Sequence, residues 1–185
     1  MIADIQKDAS TRMQSAVDHA REDLATIRTG RAHPAMFNRI NADYYGAPTP
    51  LQQLAQFTSP DPRSMLITPF DRSAIGAIEK AIRESDLGVN PSNDGNSVRI
   101  VMPQLTEERR KEYKKMAKGK AEDARVAVRN VRRSAMDQLK KLEKDGEISE
   151  DDLARAEKSL DATTKKFVDS VDELLKNKDA ELSEI

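Results

Sequence analysis

All eight prolines of this 185-residue chain fall between Pro34 and Pro103. Proline locks its own backbone and removes a hydrogen-bond donor, so no long helix runs through that stretch. The flanking segments carry none and repeat their apolar residues at helical spacing. Ile2, Ile5, Ala9, Met13, Ala16, Ala20, Leu24 and Ile27 step by three or four and share one face. That pattern predicts a helix over 2–28, stopped by Gly30 with Pro34 beyond it. A second helix is expected over 106–144, with Thr106 as N-cap and Gly146 at its end. Its stripe runs through Tyr113, Ala117, Ala121, Ala124, Val128, Val131, Ala135, Leu139 and Leu142. A third is expected over 150–183, capped by Ser149 and opened by Glu150, Asp151 and Asp152, which suit the positive first turn. None can bury its stripe alone; three together can, as an elongated bundle.

The proline-bearing middle differs in kind. Strand-like runs occur at 40–45, 51–57, 65–69 and 98–102, one short helix at 73–85, and a turn in the sequence 90–96. The expected class is therefore α+β: a three-helix bundle from residues 1–30 and 105–185, with a small domain, 31–104, inserted between its first two helices. Both connections, at Gly30–Arg31 and at Gln104, Leu105 and Thr106, lie at one end of the bundle and form a candidate hinge.

Composition narrows the function. With no Cys, disulfides and thiolate metal sites are impossible, and a reducing cytoplasm is the natural setting. His19 and His33 are the only histidines. His19 reads as a surface residue, His33 has no metal-binding companion, and no metal or cofactor is expected. Residues 1–20 are too charged for a signal peptide, and no run is long and apolar enough for a membrane span. No P-loop, GxGxxG, HExxH or Ser–His–Asp set is present, so an enzyme is the poorer class.

The net charge of −1 hides a segregation: residues 105–145 carry +6 and residues 146–185 carry −6. Within the second helix the cations are ordered. At about 100° per residue, Lys114, Arg132, Arg125, Lys118, Lys111, Arg129, Lys140, Lys115 and Arg133 spread over roughly 40–140° from Val128, one stripe beside the apolar seam. Such a row suits a phosphate backbone, since arginine offers planar bidentate donors. Arg125, Arg129, Arg132 and Arg133 stand within nine residues and repel one another unless an anion neutralises them. The plainer alternative, a solvated face paired with the acidic third helix, stays open. Tyr44-Tyr45-Gly46 before Pro48-Thr49-Pro50 reads as a strand end and turn in the small domain's core rather than as a stacking platform. Asp71-Arg72-Ser73 reads as an N-cap turn.

Five motifs then carry a resemblance. They are residues 27–32 (IRTGRA), 44–51 (YYGAPTPL), 85–88 with Asn90-Pro91 (SDLG, NP), 105–111 (LTEERRK) and 124–133 (ARVAVRNVRR). In this order and spacing the chain resembles the bacterial ribosome recycling factors over essentially its whole length. The resemblance implies an L-shaped protein, its bundle joined by a flexible hinge to a β/α/β sandwich. It implies action after termination with elongation factor G and GTP. The bundle would bind rRNA of the large ribosomal subunit across the aminoacyl and peptidyl tRNA sites, and the subunits would then part. The rRNA-contacting arginines carry over to Arg129 and Arg132, with Arg133, Arg125, Arg28 and Arg31 as neighbours. Arg109, Arg110, Lys111 and Lys118 extend the candidate contacts along the same helix. A cytoplasmic monomer is expected. Two other classes were weighed: a coiled-coil adaptor binding protein helices, and a hydrolase in the small domain.

Overall fold

The computed structural model describes residues 1–184. In chain order the elements are α1 (Ile2–Ala25), β1 (Asn41–Tyr44), β2 (Ala47–Pro50), α2 (Leu51–Leu54), β3 (Ala55–Asp61), β4 (Ser64–Pro69), α3 (Ile75–Arg83), β5 (Ser92–Asn93), β6 (Val98–Val101), α4 (Glu107–Lys144) and α5 (Glu150–Ser183). Short 3-10 turns at Pro34–Phe37 and Arg72–Ala74 complete the set. The class is α+β. Two compact units form, one from 1–28 with 106–184, the other from 29–105.

The bundle unit follows from its stripes and caps. Met13, Val17 and Ala20 of α1 are buried with Ala121, Val128 and Leu139 of α4 and Leu160, Phe167 and Val171 of α5. Six alanines in this core let the helices approach closely. The α4 helix has 38 residues, about 57 Å at 1.5 Å per residue. Thr106 opens it, its Oγ1 accepting from the Arg109 amide at 3.1 Å. A Schellman turn closes it: Gly146 at φ +72 donates to Glu143 O, and Glu147 donates to Leu142 O. Three residues later α5 begins in a complete capping box. Ser149 Oγ accepts from the Asp152 amide (3.0 Å), and Asp152 Oδ2 accepts from the Ser149 amide (3.3 Å). The Ser149 contacts, hydroxyl first and then backbone, with Arg155 after them, hold the Asp152 carboxyl below its usual range.

Helix α1 ends at Ala25, three residues short of the expected limit. The Thr26 and Ile27 amides bond back three residues, to Asp23 and Leu24, and the Thr26 hydroxyl takes Asp23 O at 2.6 Å. The helix thus tightens before Gly30 is reached, yet Ile27 stays buried as the stripe requires.

In the second unit, an antiparallel sheet in the order β3-β4-β6-β5 stands beside the hairpin β1-β2, and α3 packs on β1, β5 and β6. Phe37, Leu51, Met65, Ile67, Ile78, Ile82 and Ile100 are fully buried between them. The run 51–57 is not one strand as expected. Leu51 and Leu54 are both buried, and residues three apart share a helix face but not a strand face. Pro50 therefore leads into one helical turn, and β3 starts at Ala55. Pro60 is tolerated because β3 is an edge strand. The 90–96 turn also contains a strand: Ser92 and Asn93 pair with Arg99 and Val98, around a tip where Asp94 accepts from Asn96 and Ser97.

Ser149→Ala removes one half of the capping box and is expected to cost about 1 kcal/mol. Leu139→Ala, at a fully buried site, is expected to cost about 2–5 kcal/mol. Urea titrations followed by helical circular dichroism check both; an unmoved midpoint for Ser149→Ala would show the box to be idle.

Candidate nucleic-acid interface

The basic stripe of α4 divides into two rows. The inner row faces α5. Arg125, its side chain 18 % exposed, donates through Nε to Asp172 at 2.7 Å and through NH1 to Glu122 at 3.0 Å. The Asp172 bond, more than any other contact, raises the Arg125 pKa further. Arg132, 33 % exposed, donates through Nε to Asp161 at 2.6 Å, with Glu157 at 3.9 Å. Lys114 reaches the Ser183 hydroxyl at 2.7 Å. These cations already have anions or acceptors inside the bundle. The expected mutual repulsion of the four arginines is therefore relieved from within for Arg125 and Arg132, as the plainer alternative foresaw.

The outer row faces solvent. Arg129 is 54 % exposed, with only a distant contact to Glu122 at 3.7 Å. Lys111 pairs at 3.8 Å with Glu107, both highly exposed, a pair worth little in water. Arg109, Lys118 and Arg133 are exposed and form no ion pair among the described residues. Arg110 is half-buried at the start of α4, its Nε shielded and unpaired. Arg28 lies in the coil after α1 within the bundle unit, and Arg31 in the inserted unit; both are exposed. The α4 residues thus form one edge of a single unit, while Arg31 belongs to the other. Beside this edge an open groove runs between α1 and α4, with Arg12 and Asn130 on its rim and Ala16, Ala127 and Val131 within.

The weaker candidates resolve differently. His33 Nδ1 accepts from the Ala35 amide and caps a 3-10 turn. His19 lies 3.5 Å from Asp23 on the surface of α1. Among the described residues no His, Asp or Glu cluster could hold a metal ion, and no helix is long and apolar enough to cross a membrane. Tyr44 is partly buried, but Tyr45 is not in the core as expected: it is 83 % exposed at the tip of the β1–β2 hairpin. Its companion Gly46 was the available signal, because X-Gly between two short strands marks a two-residue hairpin turn with an outward first position. The acidic partners Asp161 and Asp172 were also missed. A tight turn between α4 and α5 sets them opposite Arg132 and Arg125, a register that needs the bundle's pairing as well as the spacing.

A three-helix bundle with one solvent-facing basic edge, interrupted by an α+β unit, defines a class of helical adaptor built for a large anionic surface. The sequence model of the ribosome recycling factor family matches residues 20–182. The ribosome-recycling factor of Cutibacterium acnes is 65 % identical over 184 residues, with 100 % of each chain covered, and that of Streptomyces coelicolor is 60 % identical over 185 residues, again 100 % of each. A solution structure of the ribosome recycling factor superimposes with a TM-score of 0.79 at 38 % identity, covering 100 % of this chain and 98 % of that one. A T. thermophilus ribosome recycling factor, from models with E. coli elongation factor G bound to the E. coli post-termination complex, gives 0.68 at 43 % identity, covering 98 % of each. The chain belongs to the ribosome recycling factor family.

The two rows are expected to separate on mutation. Arg125→Ala deletes a shielded, doubly bonded guanidinium and should cost about 1–3 kcal/mol of bundle stability. Arg133→Ala should stay within about 0.5 kcal/mol of the parent. Equal losses in denaturant titrations would refute the division.

Proposed function

We propose that this chain recycles ribosomes after termination: its bundle docks on rRNA of the large subunit across the aminoacyl and peptidyl tRNA sites, and with elongation factor G and GTP it parts the subunits. The observation that carries this reading is similarity along the whole chain, in sequence and fold, to ribosome recycling factors, one of them placed with elongation factor G on a post-termination complex.

The α4 edge suits the docking step. Arg129 and Arg133 present guanidinium groups to solvent, Arg132 keeps a third of its side chain there, and Lys111 and Lys118 continue the row. Each phosphate contact releases counterions, so affinity should fall steeply with salt. Arg109, Arg110, Arg28 and Arg31 are further candidate contacts, and Arg125 serves mainly to hold α5. The chain itself is non-enzymatic and needs no cofactor; GTP hydrolysis belongs to elongation factor G. It works as a cytoplasmic monomer.

Gly30, Arg31, Gln104, Leu105 and Thr106 form the hinge in this reading. Gly30 has φ +77, and a Cβ built there would stand 3.6 Å from the Leu105 side chain and 3.8 Å from Pro103 O. The incoming and outgoing segments therefore run side by side. Two thin parallel connections permit swinging more readily than a packed joint does.

Light scattering of post-termination ribosomes mixed with this protein, elongation factor G and GTP tests the whole reading, and no dissociation with all three present would end it. Arg129→Ala is expected to weaken large-subunit binding and to lower the slope of log affinity against log salt by about 1. Circular dichroism confirms that helicity is kept, and unchanged affinity would remove the outer row from the account. A Gly-Ser insertion between Gln104 and Leu105 should spare binding while slowing splitting; full splitting speed would exclude the hinge.

A further inference from the structure

The inserted unit exposes two large rings that nothing above uses. Tyr45 is 83 % exposed and Phe70 71 %. Each is the chain neighbour of one member of a hydrogen-bonded pair, for the Tyr44 hydroxyl donates to Asp71 Oδ2 at 2.8 Å. That bond ties the β1–β2 hairpin tip to the end of β4 and so brings Tyr45 and Phe70 to one end of the unit. The tie is firm at both sides. Asp71 Oδ1 also accepts from the Ser73 amide and hydroxyl, at 2.9 and 2.8 Å. These Ser73 bonds first, then the Tyr44 bond, hold its carboxyl below the usual range, and the Tyr44 phenol is pushed up to about 12 chiefly by Asp71. The Tyr45 ring packs edge-on against Tyr44, with centroids 4.5 Å apart.

The hairpin keeps the exposed ring against a backbone penalty. Tyr45 has φ +51 and Gly46 has φ +83, the two-residue turn that Asn-Gly or Asp-Gly makes at low cost. Tyrosine has no local advantage there, and it is the one non-glycine with positive φ among the described residues. A strained backbone holding a bulky ring out in solvent is a feature found at recognition sites. Tyrosine is also among the residues that dominate protein interfaces.

Charge decides what such a ring meets. Residues 31–104 carry seven basic and seven acidic residues, unlike the +6 of residues 105–145. The charges beside these rings are anionic: Asp43, exposed on β1, and Asp71. Arg72, the nearest cation along the chain, has its guanidinium on Asn96 Oδ1. A phosphate backbone would be repelled. The geometry points to a protein-docking surface at the Tyr45–Phe70 end of the inserted unit, whose partner offers an apolar socket edged by Lys or Arg. It depends on the recycling reading only for the choice of probe.

The test uses the full chain, purified ribosomes and elongation factor G. Tyr45→Asn with Phe70→Ser removes both rings while placing a turn-favouring residue at position 45, so the hairpin is kept. Large-subunit binding and its salt slope should stay as in the parent, while splitting at limiting elongation factor G should slow about tenfold, the loss of one interface anchor. Independently, a photoreactive benzoylphenylalanine at position 45 should cross-link to protein, to elongation factor G or to a ribosomal protein, in the assembled complex. Normal splitting by the double variant, or adducts to rRNA alone, overturns the proposal. The parent chain, run alongside, separates failure of this surface from failure of the recycling reading.

Discussion

None of the three long helices can hide its apolar stripe by itself, and that constraint organises the molecule. Helices α4 and α5 meet first in the chain, across a turn fixed by a Schellman motif on one side and a capping box on the other. Their antiparallel pair still leaves a seam open, which α1 fills with Ala9, Met13, Val17 and Ala20. The α1 helix reaches that seam from the far side of the segment 29–105, so its docking closes a long loop. Loop-closure entropy grows only logarithmically with length, and a continuous buried stripe is ample to offset it. One consequence is structural: the inserted unit receives its chain and returns it at neighbouring points, with Gly30 beside Pro103 and Leu105. The twin connection follows from helix packing and needs no separate device.

Helix α4 then carries three tasks around its circumference. Its seam of Ala117, Ala121, Val128, Ala135 and Leu139 packs. Its inner cations bond to carboxylates, most from α5, in partly shielded positions where charged hydrogen bonds are stronger than on open surface. Its outer cations are left in water. The rows differ by less than a quarter turn, yet Arg125 and Arg129, one helical turn apart, belong to different tasks. Long arginine stems allow this, since each covers apolar surface while the head selects its own partner.

Much of this was legible in the amino-acid order, and the exceptions have physical causes. The starts of α4 and α5 were legible because Thr106 and Ser149 are strong caps beside sharp changes in periodicity. The end of α1 was not, because Thr26 tightens the last turn through a local hydroxyl bond that leaves the apolar pattern unbroken. In the inserted unit, Leu51 and Leu54 look strand-like in composition, and only their joint burial makes them a helical turn. At the candidate interface the stripe was visible as a stripe. Its division into paired and open rows was not, since it depends on Asp161 and Asp172 arriving from a different helix. Tyr45 was assigned to the core on hydrophobicity, although the glycine after it marked an outward hairpin tip.

The segregation of charge explains how a chain with net charge −1 can present a phosphate-binding edge. Were α5 a free acidic segment, its net −6 would cancel the +6 of residues 105–145 at any distance from the molecule. In the bundle, Asp161 and Asp172 are drawn against the inner row, on the α5 side of a helix about 10 Å across. The Debye length at physiological salt is about 8 Å, so an anion approaching the outer row senses Arg129, Arg133 and Lys118 far more than the α5 carboxylates. The same carboxylates fix the inner arginines, stiffen the α4–α5 contact and keep the outer arginines aimed at solvent. Total charge is thus a poor guide for this fold, and the position of each carboxylate relative to the helix axis is the controlling quantity.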